Sequence, residues 1–321
     1  MDTTTPNDEV APSRVAAVVG AGLIGQTWAI VFARAGWQVK VYDTDAARLP
    51  ETGRLIARQL RELEQRQLVQ GAAHAAARVR LEPDLARALE GAAYVQESSP
   101  ERLDVKQALF RELDALAAPQ AIIASSTSSI AASLYTEDLP GRQRCLVAHP
   151  VNPPYLIPVV ELCPAPWTCL DVLAQAREIM RAIGQKPVVV RKEVEGFILN
   201  RLQGALLHEA FRLFADGVAS AEDIDTTVKS GLGLRWSFMG PFETIDLNAP
   251  GGLADYCARY GGLYQSIGRQ QCEVPAWDEQ LVDAIHRERR ERLPARDLGE
   301  RRLWRDEQLM QLMRHQQLNG D

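Results

Sequence analysis

Apolar residues along this chain alternate between short unbroken runs and stretches at helical spacing. Val15-Ala16-Ala17-Val18-Val19 is such a run, the mark of a buried strand, and from Trp28 to Ala33 the apolar positions recur as on a helix. The same alternation continues. Strands are predicted at 37–42, 92–96, 121–124, 145–148, 156–162 and 186–190, and helices at 46–70, 103–116 and 170–183, with shorter ones before Gly91 and up to Tyr135. Residues 71–77 hold no large apolar side chain and read as a connection. Short buried strands alternating with helices argue for a doubly wound, mostly parallel α/β sheet, a Rossmann-type architecture.

The pattern changes near Glu193–Gly196. Beyond Phe197 there is no convincing strand. Residues 197–207 are apolar nearly all round, as in a buried helix, and further helices are expected near 221–230, 249–266, 275–291 and 298–318. The expected organisation is a polar tail at 1–13, a nucleotide-binding domain at 14–193 and an all-helical domain at 194–321. So many striped helices in so short a domain suggest that a second subunit covers part of them.

Between the first strand and its helix lies Gly20-Ala21-Gly22-Leu23-Ile24-Gly25, a G-x-G-x-x-G loop, and Asp43 closes the next strand. Gly20 permits the tight turn, Gly22 lets a pyrophosphate approach the backbone, and Gly25 lets helix and strand pack closely. A carboxylate at Asp43 binds the adenosine ribose hydroxyls and repels a 2′-phosphate. The unit therefore selects NAD over NADP.

Composition narrows the classes. The chain has 321 residues, 46% of them hydrophobic, and a net charge of −6. That is enough for a sizeable core and offers no basic face for nucleic acid. The five cysteines form no C-x-x-C pair, which suits a reduced, cytoplasmic protein without a metal site. No apolar run approaches membrane-spanning length, and the first residues lack the apolar core of a signal peptide.

Of five histidines only His149 sits at a predicted strand end, before the stiff segment Pro150-Val151-Asn152-Pro153-Pro154. Glu161 closes an apolar strand, where a carboxylate is costly unless paired. The two make an economical dyad. Glu161 would fix the imidazole tautomer and leave the other nitrogen to take a proton from an alcohol, as oxidation by NAD requires. Ser128 lies in the cluster Ser125-Ser126-Thr127-Ser128-Ser129, where a hydroxyl can cap a helix or face a ligand. Asn200 is either a core amide or a donor to the reacting oxygen.

The segments quoted so far, with Gln96-Glu97-Ser98-Ser99-Pro100-Glu101, Glu195-Gly196-Phe197-Ile198-Leu199-Asn200-Arg201-Leu202 and Gly231-Leu232-Gly233-Leu234-Arg235-Trp236, resemble the 3-hydroxyacyl-CoA dehydrogenase superfamily over almost the whole chain. The branch most similar is the one containing L-gulonate 3-dehydrogenase and lambda-crystallin. The resemblance implies His149 as general base with Glu161 its partner. It implies Ser128 and Asn200 on the reacting oxygen, and Gly20, Gly22, Leu23, Ile24, Gly25 and Asp43 on the cofactor. Glu101, Lys106 and Asn152 are implied around its nicotinamide half. It also implies a homodimer built through the helical domain. The expected substrate is a small 3-hydroxy acid, L-gulonate being the reference. A 3-hydroxyacyl-CoA or carnitine is the alternative within enzymes. A crystallin-like structural protein or an NAD-sensing module is the alternative outside them. A free carboxylate wants a bidentate cation, and Arg235 is the candidate, an ion pair at a surface or interface being its other reading.

Overall fold

The computed structural model describes residues 14–271 and 277–319. The expected tail at 1–13 and Cys272 lie outside the described residues. The chain forms two units, one running to Asn200 and including Asp306–Gln317, the other holding Arg201–Arg305 and the last residues.

In the first unit the elements run β1 (Val15–Val19), α1 (Leu23–Arg34), β2 (Gln38–Tyr42), α2 (Leu49–Gln65), α3 (Ala72–Ala77), β3 (Val79–Leu81), α4 (Leu85–Leu89), β4 (Tyr94–Glu97), α5 (Leu103–Leu116), β5 (Ile122–Ser125), α6 (Ser133–Thr136), β6 (Cys145–Pro150), β7 (Val159–Pro164), α7 (Leu170–Ala182) and β8 (Lys186–Val189), then α8 (Leu199–Ala215), which leads into the second unit. The eight strands form one sheet in the order β3-β2-β1-β4-β5-β6-β7-β8, parallel except where β7 runs against β6. The order reverses direction between β1 and β4, where such sheets open a crevice at their carboxyl ends.

Alternate residues feed opposite faces of the sheet, as the two-residue strand period demands. Ala16, Val18, Val39, Val41, Leu146 and Ala148 join one core with Trp28, Phe32 and Ile56 from α1 and α2. Ala17, Val19, Val95, Ile123 and Val147 join the other with Phe110 and Leu113 from α5. Phe32 is fully buried against Trp37 and Tyr94 rings, and truncating such a side chain costs about 3–5 kcal/mol.

The segment before β4 differs from expectation. Residues 72–77 are helix, not a connection, because Ala72 and Ala75 bury a small-residue face and alanine is the best helix former. β3 is a strand of three residues, too short to show a period.

The second unit is helical: α9 (Ala221–Thr227), a π-turn at Val228–Leu232, α10 (Gly233–Trp236), α11 (Pro241–Asp246), α12 (Gly252–Gln270), α13 (Glu279–Arg292) and the start of α14 (Leu298–Asn319). Trp277 stacks on Phe211 with ring centroids 4.3 Å apart. The expected burial of α8 is not found. None of its residues is fully buried, and Leu202 is 63% exposed. Among the described residues nothing covers its apolar positions completely.

Candidate active site

The glycine loop is built as a phosphate cradle. Gly20 has φ +107°, which disfavours any side chain, and a Cβ there would meet the Ser98 carbonyl at 2.5 Å. At Gly25 a Cβ would stand 1.8 Å from the Gly20 carbonyl, so loop and helix touch backbone to backbone. At Gly22 nothing lies within 4 Å. The space above it is open to a ligand, and α1 begins there without a side-chain cap, leaving its N–H groups free for an anion. Asp43 Oδ2 accepts from the Ala21 N–H at 2.7 Å and Oδ1 from the Asp45 N–H at 2.9 Å, which fixes the carboxylate at the loop. Gly20, Gly22, Asp43 and Asp45 line a cavity of about 490 Å³ with Leu23, Ile24, Arg48, Ser98 and Pro100, and it lies over the β1/β4 crevice. The cradle fits a dinucleotide on shape, on free donors and on the acid at the end of β2.

His149 and Glu161 are paired across β6 and β7, directly opposite each other in the antiparallel ladder. Register alone brings the two side chains to one face of the sheet. Glu161 Oε2 accepts from His149 Nδ1 at 2.8 Å, and both side chains are buried. The other oxygen, Oε1, accepts from the Ile198 and Leu199 amides at 2.7 and 2.9 Å. One carboxylate therefore holds the imidazole and caps the start of α8. Burial pulls the Glu161 carboxyl upward, but the bonds from His149, Leu199 and Ile198 outweigh it and hold its pKa below the ordinary value. With its proton on Nδ1, the ring offers Nε2 as a proton acceptor. Nε2 has no hydrogen-bond partner among the described residues.

The entry to α8 is tightly bent. Gly196 and Phe197 both have positive φ, +74° and +50°. That conformation costs a non-glycine residue about 1–2 kcal/mol. The fully buried Phe197 ring packs beside His149, with ring centroids 5.6 Å apart and planes tilted by 44°. Asn200 is the second residue of α8, inside a helix as its apolar surroundings imply. It donates from Nδ2 to the Ser128 carbonyl at 2.9 Å. Ser128 itself is exposed, on the loop after β5.

Glu101 and Lys106 lie beside that loop. Glu101 Oε1 accepts from Thr127 Oγ1 at 2.6 Å, Ser128 N at 2.8 Å, Ser129 N at 3.0 Å and Ser129 Oγ at 3.2 Å. Lys106 is 1% exposed, and its Nζ donates to both oxygens of the fully buried Glu97 at 3.1 and 3.0 Å and to Ser125 Oγ at 3.3 Å. It also stands 3.7 Å from Glu101 Oε2. Asn152 is exposed, at a cis peptide bond to Pro153. Arg235 is an exposed residue of α10 in the helical unit.

Sequence reasoning assigned no role to Glu97, Ser125 or Phe197. Glu97 was within reach: a carboxylate ending an apolar strand must be paired, and the cation is Lys106 on the next helix. No rule of spacing points to Phe197.

The chain is similar to known proteins along most of its length. The sequence matches the model described as "3-hydroxyacyl-CoA dehydrogenase, NAD binding domain" over residues 15–194 and that described as "3-hydroxyacyl-CoA dehydrogenase, C-terminal domain" over 196–293. It is 41% identical over 313 residues to the lambda-crystallin homolog of Bos taurus, covering 95% of this chain and 97% of the relative. It is 34% identical over 298 residues to L-carnitine dehydrogenase of Pseudomonas aeruginosa, covering 92% of each. The solved structure of 5-formyl-3-hydroxy-2-methylpyridine 4-carboxylic acid 5-dehydrogenase, described as an NAD+ dependent dismutase, superposes with a TM-score of 0.72 at 28% identity. The match covers 89% of this chain and 98% of that one.

Proposed function

The chain belongs to the 3-hydroxyacyl-CoA dehydrogenase family, NAD-dependent oxidoreductases, and from that premise we propose that it oxidises the 3-hydroxyl of a small free hydroxy acid of the L-gulonate type to the 3-oxo acid. The observation that carries this reading is the closed set His149–Glu161–α8–Asn200–Ser128, in which one buried carboxylate orients the base and the helix bearing the amide.

His149 Nε2 takes the proton of the substrate alcohol, and Glu161 stabilises the imidazolium that forms. NAD, when bound, supplies the hydride acceptor for the C3 hydrogen. Gly20, Gly22, Leu23, Ile24 and Gly25 would hold its pyrophosphate and Asp43 its adenosine ribose, and Glu101, Lys106 and Asn152 would lie around its nicotinamide half. Ser128 Oγ and Asn200 Nδ2 donate to the substrate oxygen as it becomes a carbonyl. Arg235 takes the free carboxylate, which a CoA thioester does not present.

Support for a free acid comes from relatives named for small substrates, L-carnitine and a pyridine carboxylic acid. The helical unit leaves Leu234, Phe242, Leu263, Tyr264 and Leu303 exposed, an apolar surface that suits a second copy of the chain and a homodimer. No helix among the described residues is long and apolar enough to cross a membrane, and Cys145, Cys163, Cys169 and Cys257 are free thiols, which suits a cytoplasmic enzyme. Steady-state oxidation of L-gulonate, 3-hydroxybutyrate, L-carnitine and 3-hydroxybutyryl-CoA with NAD separates the substrate classes. A dominant rate on the CoA ester overturns the free-acid assignment. NAD binding without turnover on any of them leaves a sensing or crystallin-like role.

A further inference from the structure

A chain of hydrogen bonds runs out of the sheet interior and ends at the cofactor cavity. Its centre is Ser126, the first residue after β5, whose hydroxyl has three polar neighbours. Trp28 Nε1 of α1 stands 3.1 Å from Ser126 Oγ, Gln96 Nε2 of β4 2.7 Å and Ser98 Oγ 2.9 Å. Trp28 and Gln96 are fully buried, and the two serines are half-buried. Ser98 lines the cavity. Its backbone is fixed beside the glycine loop: its N–H donates to the Val19 carbonyl at 2.7 Å, and its carbonyl is the group that a Cβ on Gly20 would meet.

The residue types decide where the protons go. An indole N–H can only donate. The Gln96 amide could present either end, but the end at Ser126 also lies 3.3 Å from the Ala148 carbonyl, which only accepts, so that end is the NH₂ group. A hydroxyl has two lone pairs and one proton. Trp28 and Gln96 take both lone pairs of Ser126, so its proton goes to Ser98 Oγ. Ser98 is therefore an acceptor toward Ser126, and its own proton has no partner among the described residues. Gln96 makes the arrangement expensive. It sits in the middle of an apolar sheet, and its Oε1 has no partner among the described residues, a penalty that an apolar side chain of the same shape escapes. What the buried amide secures is the polarity of the open end of the chain.

We propose that Ser98 is a further cofactor-binding residue: Trp28, Gln96 and Ser126 commit its hydroxyl to donation, and it donates to an oxygen of the NAD backbone, on the pyrophosphate or on the nicotinamide ribose. Both groups offer acceptors, and both belong to the part of a dinucleotide that crosses the β1/β4 crevice beside the glycine loop. Ser126 is a positioning residue that acts through Ser98, and Trp28 and Gln96 act through Ser126. The assignment concerns the cofactor alone and is independent of which hydroxy acid is oxidised.

The test titrates the full chain with NAD, ADP-ribose and ADP by calorimetry. Ser98→Ala should raise the dissociation constant of NAD about tenfold, the worth of one such hydrogen bond, and leave the Tm unchanged. Equal loss with ADP puts the contact on the pyrophosphate, and loss with ADP-ribose but not ADP puts it on the second ribose. Ser126→Ala strips an acceptor from two buried N–H groups, so it should lower the Tm and weaken NAD as well. In a Ser98→Ala background it should weaken NAD no further. Trp28→Phe keeps a ring and removes one donor. Ser126 can then accept from Ser98, and NAD affinity should fall a fewfold, again only where Ser98 is present. The network itself is read without cofactor, by NMR of the indole N–H groups of the six tryptophans. The Trp28 signal, identified by its absence in Trp28→Phe, should shift upfield in Ser126→Ala. NAD affinity within twofold of wild type in Ser98→Ala refutes the proposal, as does a loss confined to NAD and absent with ADP-ribose. An undiminished effect of Ser126→Ala in the Ser98→Ala background, or an unmoved Trp28 signal, refutes the positioning role of Ser126. A wild-type protein that oxidises no hydroxy acid refutes the proposed function, and these titrations still decide the role of Ser98.

Discussion

Replacing Glu161 by glutamine keeps its shape and inverts one of its hydrogen bonds. In the native site Oε2 accepts from His149 Nδ1 at 2.8 Å, while Oε1 accepts from Ile198 N and Leu199 N. The glutamine carbonyl can keep the two amides, which leaves its NH₂ group facing the imidazole. Two donors cannot share that contact, so the ring is driven to the tautomer with Nδ1 bare and Nε2 protonated. His149 then cannot accept the alcohol proton. General-base catalysis is worth about 10²–10⁴-fold, and kcat/KM on the hydroxy acid is expected to fall by that much. The dissociation constant of NAD, read by quenching of protein fluorescence, should not change, because Glu161 touches none of the glycine loop. Stability falls by roughly 1.5–3 kcal/mol for the charged hydrogen bond lost at a side chain only 2% exposed. The pH dependence carries a second signature. The native-state pKa of Glu161 lies below its unfolded value. The stability it contributes is therefore complete above the unfolded value and is lost as pH falls through the folded one. The stability gap between wild type and Glu161→Gln should accordingly close on acidification below the ordinary carboxylate range. A variant whose kcat/KM stays within about threefold of wild type, a difference of less than 1 kcal/mol, would refute the dyad.

The other predictions follow from the same geometry. His149→Ala should abolish turnover and leave NAD affinity nearly unchanged. Weak NAD binding in that variant, measured by titration calorimetry, would show the residue misplaced. Two glycine substitutions should separate cleanly. Gly22→Ala meets nothing within 4 Å, so it should keep the native Tm while weakening NAD. Gly25→Ala drives a Cβ to 1.8 Å from the Gly20 carbonyl and should lower the Tm, and a Tm loss in Gly22→Ala would contradict the open space above it. Asp43→Asn should raise the KM for NAD about tenfold, one charged hydrogen bond, and narrow the preference against NADP. An unchanged KM ratio would remove Asp43 from the ribose.

Much of the nucleotide half was legible because each signal is local. The run from Val15 to Asp43 carries its own strand, turn, helix and acid, and the glycines act on neighbouring backbone. His149 and Glu161 could be joined across the sequence because a carboxylate in an apolar strand demands a partner, and the β6–β7 register supplies one. What escaped notice depends on long-range packing. The capping of α8 by Glu161 needs the bend at Gly196 and Phe197, which no periodicity announces. Lys106 occupies an ordinary position on an amphipathic helix, and only the fold shows that its ammonium is buried against Glu97. Ala72–Ala77 lacked large apolar residues and so lacked a period to read, although alanine itself favours helix. The exposure of α8 was hidden for the opposite reason: residues 197–207 are apolar on most sides, and that pattern cannot say whether packing covers them.

Transfer of isotope tests the central claim most directly. The hydroxy acid, deuterated at C3, is incubated with NAD and the wild-type protein or His149→Ala, and the nicotinamide product is weighed by mass spectrometry. The account predicts deuterated NADH with the wild type and none with His149→Ala. Deuterated NADH formed equally fast by both proteins, or no deuterium transferred by the wild type, would contradict it.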